Sequence, residues 1–293
     1  MHPEISQPCW GATGCDYSRQ FFSVLRQHYG AELFTLDFEG ESVVPIKEIN
    51  SWIPEQTGGH IKRLASPASV NRDTRLLLTN AMYFRGSWAR PFLPESTTEQ
   101  LFHVSAKKAV PSRMMRQSGK FAYMETPDFK ILQMPYRGDK ILFVAVLPRD
   151  TNGLSKLERS LAAEQFRSIL EGVKRTMVDV AIPRFETSTT SSLKDVLKKQ
   201  GISVTFDTSA DLSLISGKTN LYLTDIAHQA FIDVHEKGTE AAAATAVFVA
   251  KGLPNAVVEF KADQRFLYII VDQATGTILF LGHVIEPQNV PAK

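Results

Sequence analysis

The sequence predicts an α+β protein, and three observations carry that prediction. Helical and extended patterns are mixed along the chain instead of alternating, so it does not read as a series of βαβ units. Several short apolar runs are bounded by polar residues and proline, as buried strands are. The C-terminal stretch "RFLYIIVDQATGTILFLGHVI" is two strongly apolar strands around a tight turn at Ala274–Gly276. With 293 residues, 43% of them apolar, the chain can bury a sizeable core. No internal repeat, low-complexity tract or linker-like shift in composition divides it, which predicts one domain over residues 1–293.

In "DYSRQFFSVLRQHYG", Phe21, Leu25 and Tyr29 recur at intervals of four and Gly30 supplies a stop, predicting a helix. A second helix opens "VPIKEINSWIPEQTGGHIKRL", where Ile46, Ile49 and Ile53 share a face before Pro54 and the Gly58–Gly59 pair interrupt it. "TRLLLTNAMYF" and "KILFVAVLP" read as buried strands. In "MVDVAIPRF", Val178, Val180 and Ile182 alternate as in a half-buried strand. "TSSLKDVLKKQGI" predicts a helix capped by Ser191 or Ser192, with Leu193, Val196 and Leu197 as its apolar stripe and Gly201 as its stop.

Several function classes lose support on composition and motifs. Lys plus Arg number 33 against 31 for Asp plus Glu, so electrostatics argues for neither a nucleic acid nor a membrane partner. No apolar run approaches the roughly 18 residues of a membrane span, and the N-terminus lacks the pattern of a signal peptide. Cys9 and Cys15 have no partner cysteines elsewhere and read as two free thiols. There is no Gly-x-Ser-x-Gly elbow, no glycine-rich phosphate loop, and no histidine pair at zinc-helix spacing among the seven histidines. The reading is therefore a protein that is not an enzyme, with no cofactor and no metal.

One segment resists assignment. "HEKGTEAAAATAVFVAKGLPNA", residues 235–256, begins with helix formers, turns into the strand-like "TAVFVA", and ends in a glycine- and proline-containing loop. An alanine-rich surface helix accounts for its first half alone. Read with period two, Thr239, Ala241, Ala243, Thr245 and Val247 form one small, uncharged face, and Glu240 falls on the other. Such a segment suits a strand that slides between two others, or an exposed loop.

The stretch "FIDVHEKGTEAAAATAVFVA" resembles the hinge and reactive loop of the serpins. "LTNAMYFRGSW" resembles a strand of the family's central sheet, with Asn80 and Trp88 in the motif asparagine and tryptophan positions. "IPRFETSTTSSLKDVLKKQGISVTF" with Ala210–Ser213, "LYLTDIAHQAFIDV" with His228, and "EFKADQRFLYIIVDQATGTILFLGHVIEP" match further family segments in order. The resemblance runs from about residue 4 to 287. It implies the serpin fold: a large, mostly antiparallel central sheet, further sheets, surrounding helices, and an exposed reactive loop at about 236–258. The family's N-terminal helices have no counterpart here, so an N-terminally truncated domain or fragment is expected.

The resemblance also implies a function. A serine protease, or a cysteine protease, would cleave the loop and be trapped as an acyl-enzyme while the cut loop inserts into the sheet. The alternatives are a non-inhibitory serpin-like binding protein or an inactive fragment. The hinge would comprise Glu236, Gly238, Thr239, Glu240, Ala241, Ala242, Ala243, Ala244 and Thr245, with Glu236 paired to Arg184. Asn80 and His228 would form a hydrogen-bonded pair where the strands part, with Trp88 near the point of insertion. Family spacing puts the scissile bond at Gly252 counted from Gly238, and nearer Leu253 counted back from Phe266. The candidates before the bond are Ala250, Lys251, Gly252 and Leu253, Lys251 and Gly252 ahead. A monomer is expected. The compartment is open from the residues, and the resemblance suggests an extracellular one.

Overall fold

The computed structural model describes residues 3–41, 43–160, 166–167, 170–217, 221–239 and 257–288. The hinge residues Glu240, Ala241, Ala242, Ala243, Ala244 and Thr245, and the scissile candidates Ala250, Lys251, Gly252 and Leu253, lie outside them. Numbered along the chain, the first elements are β1 (Pro3–Ser6), β2 (Cys9–Ala12), α1 (Arg19–Val24), β3 (Leu33–Leu36) and α2 (Val43–Gln56). Then come β4 (Leu76–Phe84), β5 (Gly86–Ser87), β6 (Thr98–Ser105), β7 (Lys108–Glu125), β8 (Phe129–Pro135), β9 (Ile141–Pro148) and α3 (Leu154–Ser160). Next are β10 (Lys174–Pro183), β11 (Phe185–Ser192), α4 (Lys194–Lys199), α5 (Ser213–Ser216) and β12 (Leu223–His235). The chain closes with β13 (Gly238–Thr239), β14 (Val258–Lys261), β15 (Phe266–Asp272) and β16 (Ile278–Val284). The mixed order is that of an α+β fold. Backbone contacts gather these elements into two compact units.

One unit comprises Pro3–Tyr83 and Ser188–Phe231. Here β2 pairs parallel to β3 and antiparallel to β4, and β4 pairs parallel to β12 from Leu223↔Leu76 to Phe231↔Tyr83. Alternation sends Leu77, Ala81, Tyr83, Ala227 and Phe231 into a core with Ile49 and Ile53 of α2. Leu76 and Leu223 join a second cluster with Cys9, Phe206 and Leu221. The predicted first helix is present as α1 and a wider π-type turn over Leu25–Tyr29, ended by Gly30 at φ 58°. Pro54 does not interrupt α2, which continues to Gln56. Proline has no N–H to give to the ladder, but the buried Ile49 and Ile53 hold the last turn against the core.

The helix read in "TSSLKDVLKKQGI" is shorter than predicted. Ser191 and Ser192 extend β11 instead of capping α4, and Ser192 Oγ donates to Asp225 Oδ1 at 2.5 Å. Val196 of the expected stripe is exposed. The C-terminal end is as read: Gly201 has φ 95°, its N–H bonds Lys198 O, and Ile202 N–H bonds Leu197 O. Those two bonds are the Schellman arrangement that a left-handed glycine permits.

The other unit comprises Met1–His2, Phe84–Thr187 and Ile232–Lys293. Its sheet runs β14-β10-β7-β8-β9-β15-β16, with β6 on β7. All pairs are antiparallel except β10 with β14. All eight residues of β9 are buried, because β8 and β15 flank the strand and Leu154 and Leu157 of α3 pack with Leu142, Val144 and Val146. That is why "KILFVAVLP" shows no alternation. In β10, Val178, Val180 and Ile182 are fully buried, as their spacing predicts. Gly276 at φ 70° closes the β15–β16 hairpin. Cys9 and Cys15 are both free thiols.

Candidate functional site

The expected hinge lies where β12 turns back through Glu236 and Lys237 into β13, within the second unit described. β13 is antiparallel to both neighbours: Val234↔Thr239 and His235↔Gly238 on one side, Gly238↔Ser87 and Thr239↔Gly86 on the other. Two residues of the ambiguous segment are thus already a strand between β12 and β5. Thr239 has no exposed surface.

Glycine at 238 is dictated by space as well as by conformation. Its φ is 147°, and a Cβ there would meet Gly86 O at 2.1 Å and Ser87 Cα at 2.6 Å, both backbone atoms. A glycine supplies the backbone freedom that a hinge needs. The structure adds a close approach of two backbones that no side chain tolerates.

Glu236 anchors the turn. Its Oε1 accepts from Arg184 Nε at 2.7 Å and from Thr97 Oγ1 at 2.5 Å, and Arg184 Nη2 lies 2.5 Å from Oε2. The two side chains are only 9% and 4% exposed, so the charges are paired out of contact with water. Burial pushes the Glu236 carboxyl up, but the bonds from Arg184 and Thr97 outweigh it and hold it below the usual carboxylate range. The expected Glu236–Arg184 pair is present, with Thr97 as a third member that no sequence pattern marked.

Three successive carbonyls of the turn are also occupied. Trp88 Nε1 donates to His235 O at 2.9 Å, Phe92 N to Glu236 O at 2.9 Å, and Trp88 N to Lys237 O at 3.1 Å. Trp88 is buried and stacks on Tyr136 with centroids 4.5 Å apart and planes within 10°. Its predicted place beside the hinge is therefore occupied. Tyr136 was not foreseen: its hydroxyl is hydrogen-bonded to that of Thr239 at 2.7 Å across 103 positions of sequence.

Asn80 and His228 belong to the other unit, where they are register partners on β4 and β12. The hydrogen bond expected between them is not made: Asn80 Oδ1 and His228 Nδ1 are each buried without a partner among the described residues. Side chains opposite each other in a parallel pair leave the sheet in the same direction, and here their polar ends do not meet. Burial pushes the His228 pKa down. Among the described residues no group of three or more His, Cys, Asp or Glu could hold a metal ion, and no helix is long and apolar enough to cross a membrane.

The family model described as "Serpin (serine protease inhibitor)" matches residues 3–287, which takes in both units and the hinge. The chain belongs to the serpin family. An uncharacterised serpin-like protein of Thermococcus kodakarensis is 37% identical over 284 residues, covering 96% of this chain and 65% of the archaeal protein. Leukocyte elastase inhibitor of Xenopus laevis is also 37% identical, over 97% of this chain and 77% of the relative. The chain thus spans about two thirds to three quarters of these serpins. Serpin48, described as a highly specific serpin of the insect Tenebrio molitor, superposes with a TM-score of 0.86 at 34% identity, over 98% of this chain and 76% of that one. Uncleaved ovalbumin superposes at 0.85 with 27% identity. The fold is that of the serpins.

Proposed function

We propose that this serpin inhibits a serine protease by a single-use trap. The observation that carries the reading is the buried, doubly paired Thr239, which supplies the first rung of a strand that the rest of the loop extends. The serine oxygen of the protease attacks the carbonyl carbon of the residue before the scissile bond. The C–N bond breaks, the released amino terminus carries the proton away, and the acyl ester joins the two proteins. The freed segment after Thr239 then adds to the sheet. Loop insertion by serpins is a recognised instance of strand addition. A segment continuing the direction of β13 would be antiparallel to β12, and its residues Ala241 through Thr245 are small enough to pass, with Glu240 on the opposite face from Thr239. About ten new backbone hydrogen bonds at roughly 1 kcal/mol net each amount to about 10 kcal/mol. That equals the whole stability of an ordinary domain.

The name of the frog relative and the Ala and Val residues of "TAVFVA" support an elastase-like target. Lys251 supports a trypsin-like one with an acidic pocket floor. The test is to mix the protein with elastase-like, trypsin-like and subtilisin-like proteases and run denaturing electrophoresis. A band at the summed mass supports the trap. Clean cleavage with no such band for any protease rejects it in favour of a non-inhibitory serpin. Mass spectrometry of the released C-terminal peptide tests the scissile window: it should begin at one of Lys251, Gly252, Leu253 or Pro254.

A further inference from the structure

Thr239 raises a question that its backbone pairing does not answer. A hydroxyl with no exposed surface destabilises its position unless it finds a partner. Its partner is the Tyr136 hydroxyl, itself fully buried. Thr239 apart, the groups that touch Tyr136 directly lie outside the hinge. Its N–H bonds Ile141 O at 3.0 Å, Arg137 N–H bonds Ser87 O at 2.7 Å, and Ala89 N–H bonds Pro135 O at 3.0 Å. Its ring is stacked on Trp88 and meets Phe84 edge-on at 4.9 Å. Gly86 leaves the ring room, since a Cβ there would stand 3.0 Å from Tyr136 Cδ1. The phenol is a fixed polar point beside β13, bonded to the hydroxyl at position 239.

We infer that Tyr136 is a positioning residue for loop insertion: its hydroxyl seats Thr239 in the sheet before cleavage and so fixes the register from which the cut strand continues. The consequence for trapping rests on the inhibitory reading, whereas the seat itself does not. If Tyr136 loses its hydroxyl, Thr239 is better solvated outside the sheet. If Thr239 loses its hydroxyl, the phenol is left unpaired whenever residue 239 is in. If both are apolar, neither penalty remains, because replacing both partners with groups of similar shape is nearly neutral.

The test is hydrogen–deuterium exchange at the Gly238 and Thr239 amides of the uncleaved protein, read on short peptides. Tyr136→Phe and Thr239→Val should each raise the exchange rate about five- to tenfold, and the double variant should return to within about twofold of the parent. Unchanged protection in both single variants overturns the seat, as does a double variant looser than either. Should Tyr136→Phe fail to fold, Thr239→Ser must keep the protection that Thr239→Val loses. The same variants mixed with a trapped protease give a second readout. The fraction of cleavages that end in covalent complex should fall in Tyr136→Phe and recover in the double variant. If the parent traps no protease yet the exchange pattern holds, the inhibitory reading fails and the seat stands.

Discussion

Glu236 carries its charge where water does not reach, and Arg184 and Thr97 together make that tolerable. Removing one partner of such a pair strands the other, which is far more damaging than losing an exposed salt bridge. Arg184→Ala should therefore destabilise the protein by about 3–5 kcal/mol, read from the shift in urea midpoint. The acid response has a definite sign. The folded carboxyl titrates below its unfolded value of about 4.3, so the pair stabilises fully above that pH and loses its effect as pH falls through the folded pKa. In Arg184→Ala the acid limb of the stability curve should be correspondingly shallower. Thr239 gives a second prediction at this scale. Thr239→Arg puts a guanidinium where the native side chain has no exposure, so the loop should still be cut but the protease should escape. Undiminished covalent complex in that variant would count against strand insertion. Glu236, Arg184 and Trp88 were legible in the sequence through a family motif. Thr97 and Tyr136 were not, because their roles come from hydrogen bonds spanning 139 and 103 positions, and nothing local distinguishes them from any other threonine or tyrosine.

Elements were legible where one periodicity dominated. The alternation of Val178, Val180 and Ile182 and the glycine stop at Gly201 both survive in the structure, since each follows from local geometry. The readings of Pro54 as a break and of Ser192 as a cap did not. In each case a distant partner decides: the core beneath Ile49 and Ile53 for the first, Asp225 on the neighbouring strand for the second. The β4–β12 pair carries its own prediction. His228 lies opposite Asn80 with Nδ1 unpartnered, and burial lowers its pKa. A base whose folded pKa lies below the unfolded value of about 6.5 stabilises the fold above that pH and ceases to as pH falls through the folded value. Between pH 7 and pH 5 the parent should lose stability relative to His228→Gln, which cannot protonate there. Parallel urea titrations at the two pH values measure the difference, and a gap that does not widen on acidification would refute the assignment.

At the scale of the whole molecule, the inhibitory reading predicts a protein that becomes more stable when cut. A protease outside the target class that nicks the loop should raise the melting temperature by about 15 °C, since about 10 kcal/mol of new pairing in a chain of 293 residues shifts melting by about 1.6 °C per kcal/mol. Differential scanning calorimetry before and after nicking decides it, and a cut protein that melts at or below the intact one would rule out insertion. Family membership and fold class were legible in the sequence because motif segments such as "LTNAMYFRGSW" and "LYLTDIAHQAFIDV" stand in order over nearly the whole chain. The placement of hinge residues 238 and 239 inside the sheet was not. A stretch of small residues suits an outside loop and an inside strand equally, and the choice is made by Gly86 and Tyr136, far away in sequence.

The three occupied carbonyls of His235, Glu236 and Lys237 fix one end of the proposed reactive segment to the body of the protein. A free peptide of the same composition would have to find the sheet by diffusion and surrender its translational freedom on arrival. Here that loss is already incurred in folding. The local concentration of the strand at its own slot is that of a short tether, in the millimolar range or above, whatever the concentration of the protein. On the proposed inhibitory reading, insertion would then be a first-order step whose half-life does not change on dilution, and a captured protease would be in a race only against hydrolysis of its own ester.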